Sequence, residues 1–168
     1  MPPTISAWLP DEPDERATYL ANLGGPHLLA LAGSLIATQF AEALRPLDLQ
    51  ISDWLLLDRL YPHHEALSAG ELATRAGIPA STVSTALARL GRRGLVTRRR
   101  PDDNQRTVHV HLTEAGRSFY ASARPGLGAA LNASYGALTP EADATLRTLL
   151  TTILNGSPAA YEGSSRRG

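Results

Sequence analysis

Two helix-patterned segments joined by Gly77-Ile78-Pro79 constrain this chain more than any other feature. Glycine frees the backbone where one helix ends, and proline opens the next, so the three residues read as a tight turn. The spacing predicts a short helix over Ala69–Ala76, with Leu72 and Ala73 inward, and a second over Ser81–Arg93. In the second, Val83, Leu87 and Leu90 recur at i, i+4 and i+7 and form one buried stripe. Its opposite face carries Ser81, Thr82, Ser84, Thr85, Ala88, Arg89 and Arg92, and Gly94 ends it. Leu95–Arg100 and Thr107–Leu112 then alternate apolar and polar residues around the turn-rich Pro101-Asp102-Asp103-Asn104-Gln105, the pattern of a hairpin. Helix, turn, helix, hairpin is a winged helix-turn-helix, so the expected fold class is mainly α with a small β-wing.

Charge on this block is lopsided. Seven arginines and no acid lie between Leu72 and Pro101, although basic and acidic residues balance at 16 each over all 168 residues. A neutral total excludes a wholly polyanion-coating protein but leaves room for a local basic face. Guanidinium groups meet phosphate oxygens as planar, permanently charged forks. Small hydroxyls at the head of a helix suit base edges or nearby phosphates in a major groove, and cations behind them suit the backbone. The candidate DNA-binding residues are therefore Ser81, Thr82, Ser84, Thr85, Arg89, Arg92, Arg98, Arg99 and Arg106, the last at the wing tip where a narrow minor groove attracts arginine.

Outside the block, the chain reads as helical. Pro26–Leu44 is apolar most of the way round (Leu28, Leu29, Leu31, Leu35, Ile36, Phe40, Leu44), which implies a covering partner chain. Pro46 breaks it, and a helix over Ser52–Leu60 offers Trp54, Leu55, Leu57 and Leu60 to the core. Thr113 caps a helix bearing Phe119 and Tyr120, disturbed at Pro125 and fading near Tyr135. Thr139-Pro140-Glu141 starts a last helix whose apolar face holds Leu146, Leu149, Leu150, Ile153 and Leu154. The expected organisation is a flexible tail over 1–12, a helical dimerisation region from 13–50 and 113–155, a winged domain over 51–112, and a flexible tail over 156–168. No run approaches the ~18–20 apolar residues that span a bilayer, and the N-terminus lacks the basic-then-apolar order of a signal peptide, so the expected location is cytoplasmic.

Residues 67–116 resemble the multiple-antibiotic-resistance regulator (MarR) family. The matching pieces are LSAGELATRAGIPASTVSTALARLGRRGLVTRR and DDNQRTVHVHLTEAG, the second being the family's wing signature. The resemblance extends more weakly over roughly residues 25–155. It implies a triangular homodimer on a palindromic duplex, with Arg106 in the minor groove, and a repressor released by a small effector, by resemblance an aromatic or phenolic acid. Helix order places His27, Trp54, Asp58, Tyr61, Arg117 and Tyr120 near the crevice expected to hold that effector. Asn104 stands where the family usually has an acid two before the wing arginine, so Asp102 or Asp103 would have to orient Arg106. Thr85 stands where a recognition-helix arginine is frequent, so base preference is expected to be unusual.

Competing readings are thinner. The five histidines include His63-His64 in a loop and His109 and His111 on one face of the wing strand, which raises a metal-responsive regulator as the alternative. They do not converge on one tetrahedral site, and no metal or cofactor is expected. There is no cysteine, which excludes disulfides, thiolate metal sites and cysteine-based peroxide sensing. No phosphate loop, nucleophile elbow or His-Glu-x-x-His motif is present, so no enzyme is expected. A winged-helix module that binds protein would need acids to blunt the basic face, and they are missing from it.

Overall fold

The computed structural model describes residues 9–61, 67–100, 108–135 and 138–156. The helix-turn-helix forms as its punctuation dictates. Helix α4, Ala69–Ala76, starts at Ser68, whose hydroxyl accepts the Glu71 N–H at 3.2 Å while the Glu71 carboxylate accepts the Ser68 N–H at 2.7 Å. Gly77, with φ of 65°, closes it in the left-handed region that glycine enters without strain. Helix α5, Ala80–Arg92, buries Val83, Ala86, Leu87 and Leu90.

The wing is a three-stranded antiparallel sheet. Strands β2, Val96–Arg99, and β3, His109–Leu112, pair from Val96 opposite Leu112 to Arg99 opposite His109. The other edge of β3 takes a two-residue strand, β1 at Leu67–Ser68, giving the order β1-β3-β2. Sequence periodicity misses β1 because two residues cannot display alternation. At the wing's base, the Thr113 hydroxyl donates to the Gly94 carbonyl at 2.6 Å and accepts the Gly116 N–H at 2.9 Å. Gly116 passes so close that a Cβ there would lie 2.0 Å from the Leu95 carbonyl oxygen, so the last glycine of the wing signature is sterically required.

Helix α3, Ile51–Leu60, runs behind α4 and α5 and buries Asp53, Trp54, Leu56, Leu57 and Leu60. Leu55 is half-buried and Leu56 takes the core position beside it. The core continues through Leu44, Leu67, Leu72, Val110 and Leu112 to Tyr120 and Leu127 of α6, Glu114–Tyr135, a helix that runs on through Pro125. Helix α2, Gly25–Leu44, packs along α6, and a 3₁₀ turn at Arg45–Leu47 follows it.

The remaining helices lie on the outside. Helix α1, Pro13–Ala21, is a short element absent from the sequence reading; its proline and the acids Asp14 and Glu15 in the first turn are proper start signals. It buries no residue, and neither does α7, Pro140–Gly156. The membrane expectation needs correction at α2. By length and composition alone the 23-residue stretch Gly25–Leu47 is long and apolar enough to cross a bilayer, with a mean hydropathy of 1.3 over an 18-residue window. An unbroken apolar run was the wrong test, because Ser34, Thr38 and Gln39 interrupt the run without lowering the mean far. The expected tails fall mainly on residues 1–8 and 157–168, outside the described residues.

Candidate nucleic-acid interface

The first two turns of α5 present hydroxyls because its apolar stripe is fully used on α3 and α4. Ser81, Ser84 and Thr85 are exposed and Thr82 is half-buried. The Thr85 hydroxyl donates to the Ser81 carbonyl at 3.1 Å, so its proton is spent on the helix itself. Arg92 is exposed in the last turn, with its Nε 3.4 Å from the Ala88 carbonyl. Arg98 and Arg99 stand exposed on β2. A cleft of about 400 Å³ joins helix to wing, lined by Ser84, Arg98, Arg99 and Arg100 above an apolar floor of Leu87 and Val110. Arg100 belongs to this group and sequence reasoning passed over it; its place at the end of an arginine triplet was the available signal. Arg106, with Asp102, Asp103 and Asn104, lies outside the described residues.

Arg89 departs from its fellow arginines. Its Nη2 meets the Asp53 carboxylate at 2.8 Å and Nε lies 3.1 Å from both oxygens, while Nη2 also donates to the Ser52 hydroxyl at 3.0 Å. Asp53 is 2% exposed and accepts the Gln50 N–H at 2.9 Å as well. The guanidinium and hydroxyl partners offset the cost of taking this carboxylate and its arginine out of water. An acid flanked by the apolar positions of α3 was the clue that some arginine must turn inward. Arg93 is also engaged: it donates to the Asp48 carbonyl at 2.6 Å and lies 5.3 Å from the Phe119 ring centroid, a cation–π contact tying α5 to α6.

On β3, His109 and His111 share the half-buried face opposite Val110 and Leu112. Burial, then the nearby Arg99, His109 and Arg117 charges, pushes the His111 pKa below its ordinary value, so it is neutral at physiological pH. Among the described residues no group of three or more His, Cys, Asp or Glu side chains could hold a metal ion. His63 and His64 lie outside them.

Four of the six candidate effector residues come together between α3 and α6. Trp54 stacks on Tyr120 with centroids 4.7 Å apart, and Tyr61 meets the same ring at 4.5 Å. The Tyr120 hydroxyl donates to the Asp58 carboxylate in a short hydrogen bond. Burial first and that carboxylate second drive the Tyr120 pKa well above the usual phenol range. Asp58 is also paired with Arg59 at 2.8 Å, and Arg59 reaches the Arg75 carbonyl of α4 at 2.9 Å. His27 stands apart, exposed in the first turn of α2, and Arg117 lies at the wing end of α6 beside His111.

A family model described as MarR family matches residues 47–107, the turn before α3 through the wing. The regulator FarR of Neisseria gonorrhoeae is 32% identical over 92 residues, 55% of this chain and 62% of its own length. The organic hydroperoxide resistance regulator of Bacillus subtilis is 27% identical over 75% of this chain and 86% of its own. Over its winged block the chain is similar to the MarR family. A solved MarR-family regulator from Silicibacter pomeroyi is 29% identical, with a TM-score of 0.65 over 80% of this chain and 91% of that one. Two more distant solved structures share the fold at TM-score 0.73. One is MepR of Staphylococcus aureus in complex with DNA, 19% identical over 81% of this chain and 100% of that one; the other is CouR of Rhodococcus jostii bound to p-coumaroyl-CoA, 22% identical over 82% and 96%. The match with FarR spans less than two thirds of that relative's length.

Proposed function

We propose that this chain is a transcriptional regulator that binds duplex DNA as a homodimer through α5 and the wing. The observation that carries the reading is the cleft in which Ser84 of α5 meets Arg98, Arg99 and Arg100 of the wing. Donors sized for base edges and cations sized for phosphates lie on one continuous face that holds no acid among the described residues lining it. Ser81, Thr82, Ser84 and Thr85 then read or approach bases, Arg92, Arg98 and Arg99 hold the backbone, and Arg106 enters the minor groove. Two such faces, about 34–36 Å apart in a dimer, fit successive major grooves of a palindromic site.

The test is duplex binding by fluorescence anisotropy across salt. If a dimer neutralises about six to ten phosphates, affinity falls roughly 10³–10⁵-fold between 50 and 200 mM salt. A flat response sinks the reading. Arg106→Ala is expected to weaken binding several-fold with the dimer intact.

The Trp54, Tyr61 and Tyr120 rings gathered around Asp58 support a reading of regulation by a small aromatic or phenolic effector. CouR, of the same fold, binds an aromatic acyl thioester, which makes that class the first to try. Complete release from DNA requires the effector to prefer the DNA-incompetent state by about 5.5 kcal/mol. Thiol oxidation is closed to this chain, despite its likeness to a hydroperoxide regulator, because it has no cysteine. Repression, with release on effector binding, is the proposed sense of control. A reporter driven from the bound promoter should rise on deletion of the regulator.

A further inference from the structure

The sequence puts Arg89 on the phosphate-facing side of α5, yet Asp53 grips its guanidinium from beneath. Between the starts of α3 and α5 lies a second cleft of about 250 Å³, lined by Gln50, Ser52, Ser81, Thr82, Thr85 and Arg89. Every lining side chain is an amide, a hydroxyl or a guanidinium, and no acid is among them. Asp53 is buried below. Resting on the DNA-binding reading above, we propose that this cleft seats one backbone phosphate of the duplex, with Ser52 and Arg89 as its principal donors.

The donor inventory carries the argument. Arg89 spends Nε and Nη2 on Asp53 and Ser52, while Nη1 has no partner among the described residues. Its side chain keeps 25% exposure against 3% for Asp53, so the pair is buried at one end and open at the other. The Ser52 hydroxyl accepts from Arg89 at 3.0 Å, which leaves its own proton for an outside acceptor. A bidentate carboxylate fixes the guanidinium plane in advance, so little side-chain freedom is lost when a phosphate arrives. Compact hydroxyls at a shallow floor suit a compact anion, whereas base edges call for side chains that project into the groove. Gln50 and Ser52 thereby bring α3 into the interface, a role no feature of the recognition helix suggests.

Binding should be measured on the tightest duplex that the wild type selects from a random library, as log affinity against log salt. Asp53→Asn combined with Arg89→Gln removes both charges while leaving the net charge of the protein unchanged. The salt slope should then become shallower by about 0.9 per protomer, one phosphate contact, with sequence preference retained. Ser52→Ala should weaken binding several-fold on every sequence, with its slope unchanged. A folded double variant with the wild-type slope overturns the seat, and so does Ser52→Ala with wild-type affinity; in both cases the DNA-binding reading survives. Wild-type protein that binds no duplex at all overturns both. If the double variant does not fold, Ser52→Ala decides alone.

Discussion

Leu87 and Leu154 carry the same side chain on amphipathic helices of similar length, yet Leu87 on α5 is 2% exposed and Leu154 on α7 is 75% exposed. The contrast holds across the two halves of the molecule. From α3 to the wing, every helix lays its apolar stripe against another part of the same chain, in one core running from Leu44 to Leu127. In the helical base, Tyr19, Leu28, Leu29, Leu35, Leu149 and Ile153 are each at least 38% exposed, and α1 and α7 bury nothing. Burying one leucine stabilises by about 1.5–3 kcal/mol, so such a surface is costly to leave in water. The winged half is complete within one chain; the base leaves apolar faces uncovered, which the proposed dimer would bury.

Removing everything after Thr139 is the harshest way to break that contrast. On the proposed dimer it strips the apolar face of α7 from the interface, and the expected result is aggregation or loss of soluble protein. A well-behaved monomer, by light scattering, would mean that the base needs no partner.

Truncating single leucines sharpens the same comparison. Leu87→Ala opens a cavity in a closed core and should cost about 2–5 kcal/mol by urea denaturation. Leu154→Ala should change the stability of a dilute monomer by less than about 0.5 kcal/mol. Its effect should appear instead as a weaker dimer, read from the concentration dependence of the melting temperature. Equal costs at the two positions would contradict the division.

The same division governs how much could be read from residues alone. In the winged half the signals are local and mutually consistent: Gly77-Ile78-Pro79, the Val83/Leu87/Leu90 stripe and the Thr113–Gly116 start of α6 all form as their chemistry requires. The base offered only amphipathicity, which says that a face must be covered without saying by what. The candidate site shows where local reading stops. Helical phase put Arg89 on the outer face, but its long side chain folds back 36 positions in sequence to Asp53, a pairing no local pattern displays. Trp54, Asp58, Tyr61 and Tyr120 converge because α3 and α6 are neighbours in the fold.

That aromatic cluster joins the two halves, and alkaline pH probes it. Burial and Asp58 hold the Tyr120 proton above the ordinary phenol pKa of 10.0. In the unfolded chain the phenol ionises near pH 10, while the native one stays neutral. Its stabilising contribution is therefore intact below about pH 10 and declines above it, by about 1.4 kcal/mol per pH unit, until the native phenol ionises. Denaturation from about pH 9 to about pH 11 should show a steeper decline in the wild type than in Tyr120→Phe. Parallel profiles would mean that the phenol is not shielded.

A helix-cap substitution tests whether the winged half is as self-contained as it looks. Ser68 both ends β1 and caps α4, and its hydroxyl accepts the Glu71 N–H while Glu71 reaches back to the Ser68 N–H. Those hydrogen bonds hold the Glu71 pKa below its ordinary value, so their contribution is present at neutral pH and fades as acid protonates the carboxylate. Ser68→Ala removes only the hydroxyl side of the box and should cost about 1 kcal/mol at neutral pH. Helix α4 packs chiefly on α3, α5 and β1, all within the winged half, so the loss should not depend on protein concentration. A cost that grows on dilution would show that the wing and first helix lean on the dimer after all, and the boundary between the two halves would have to move.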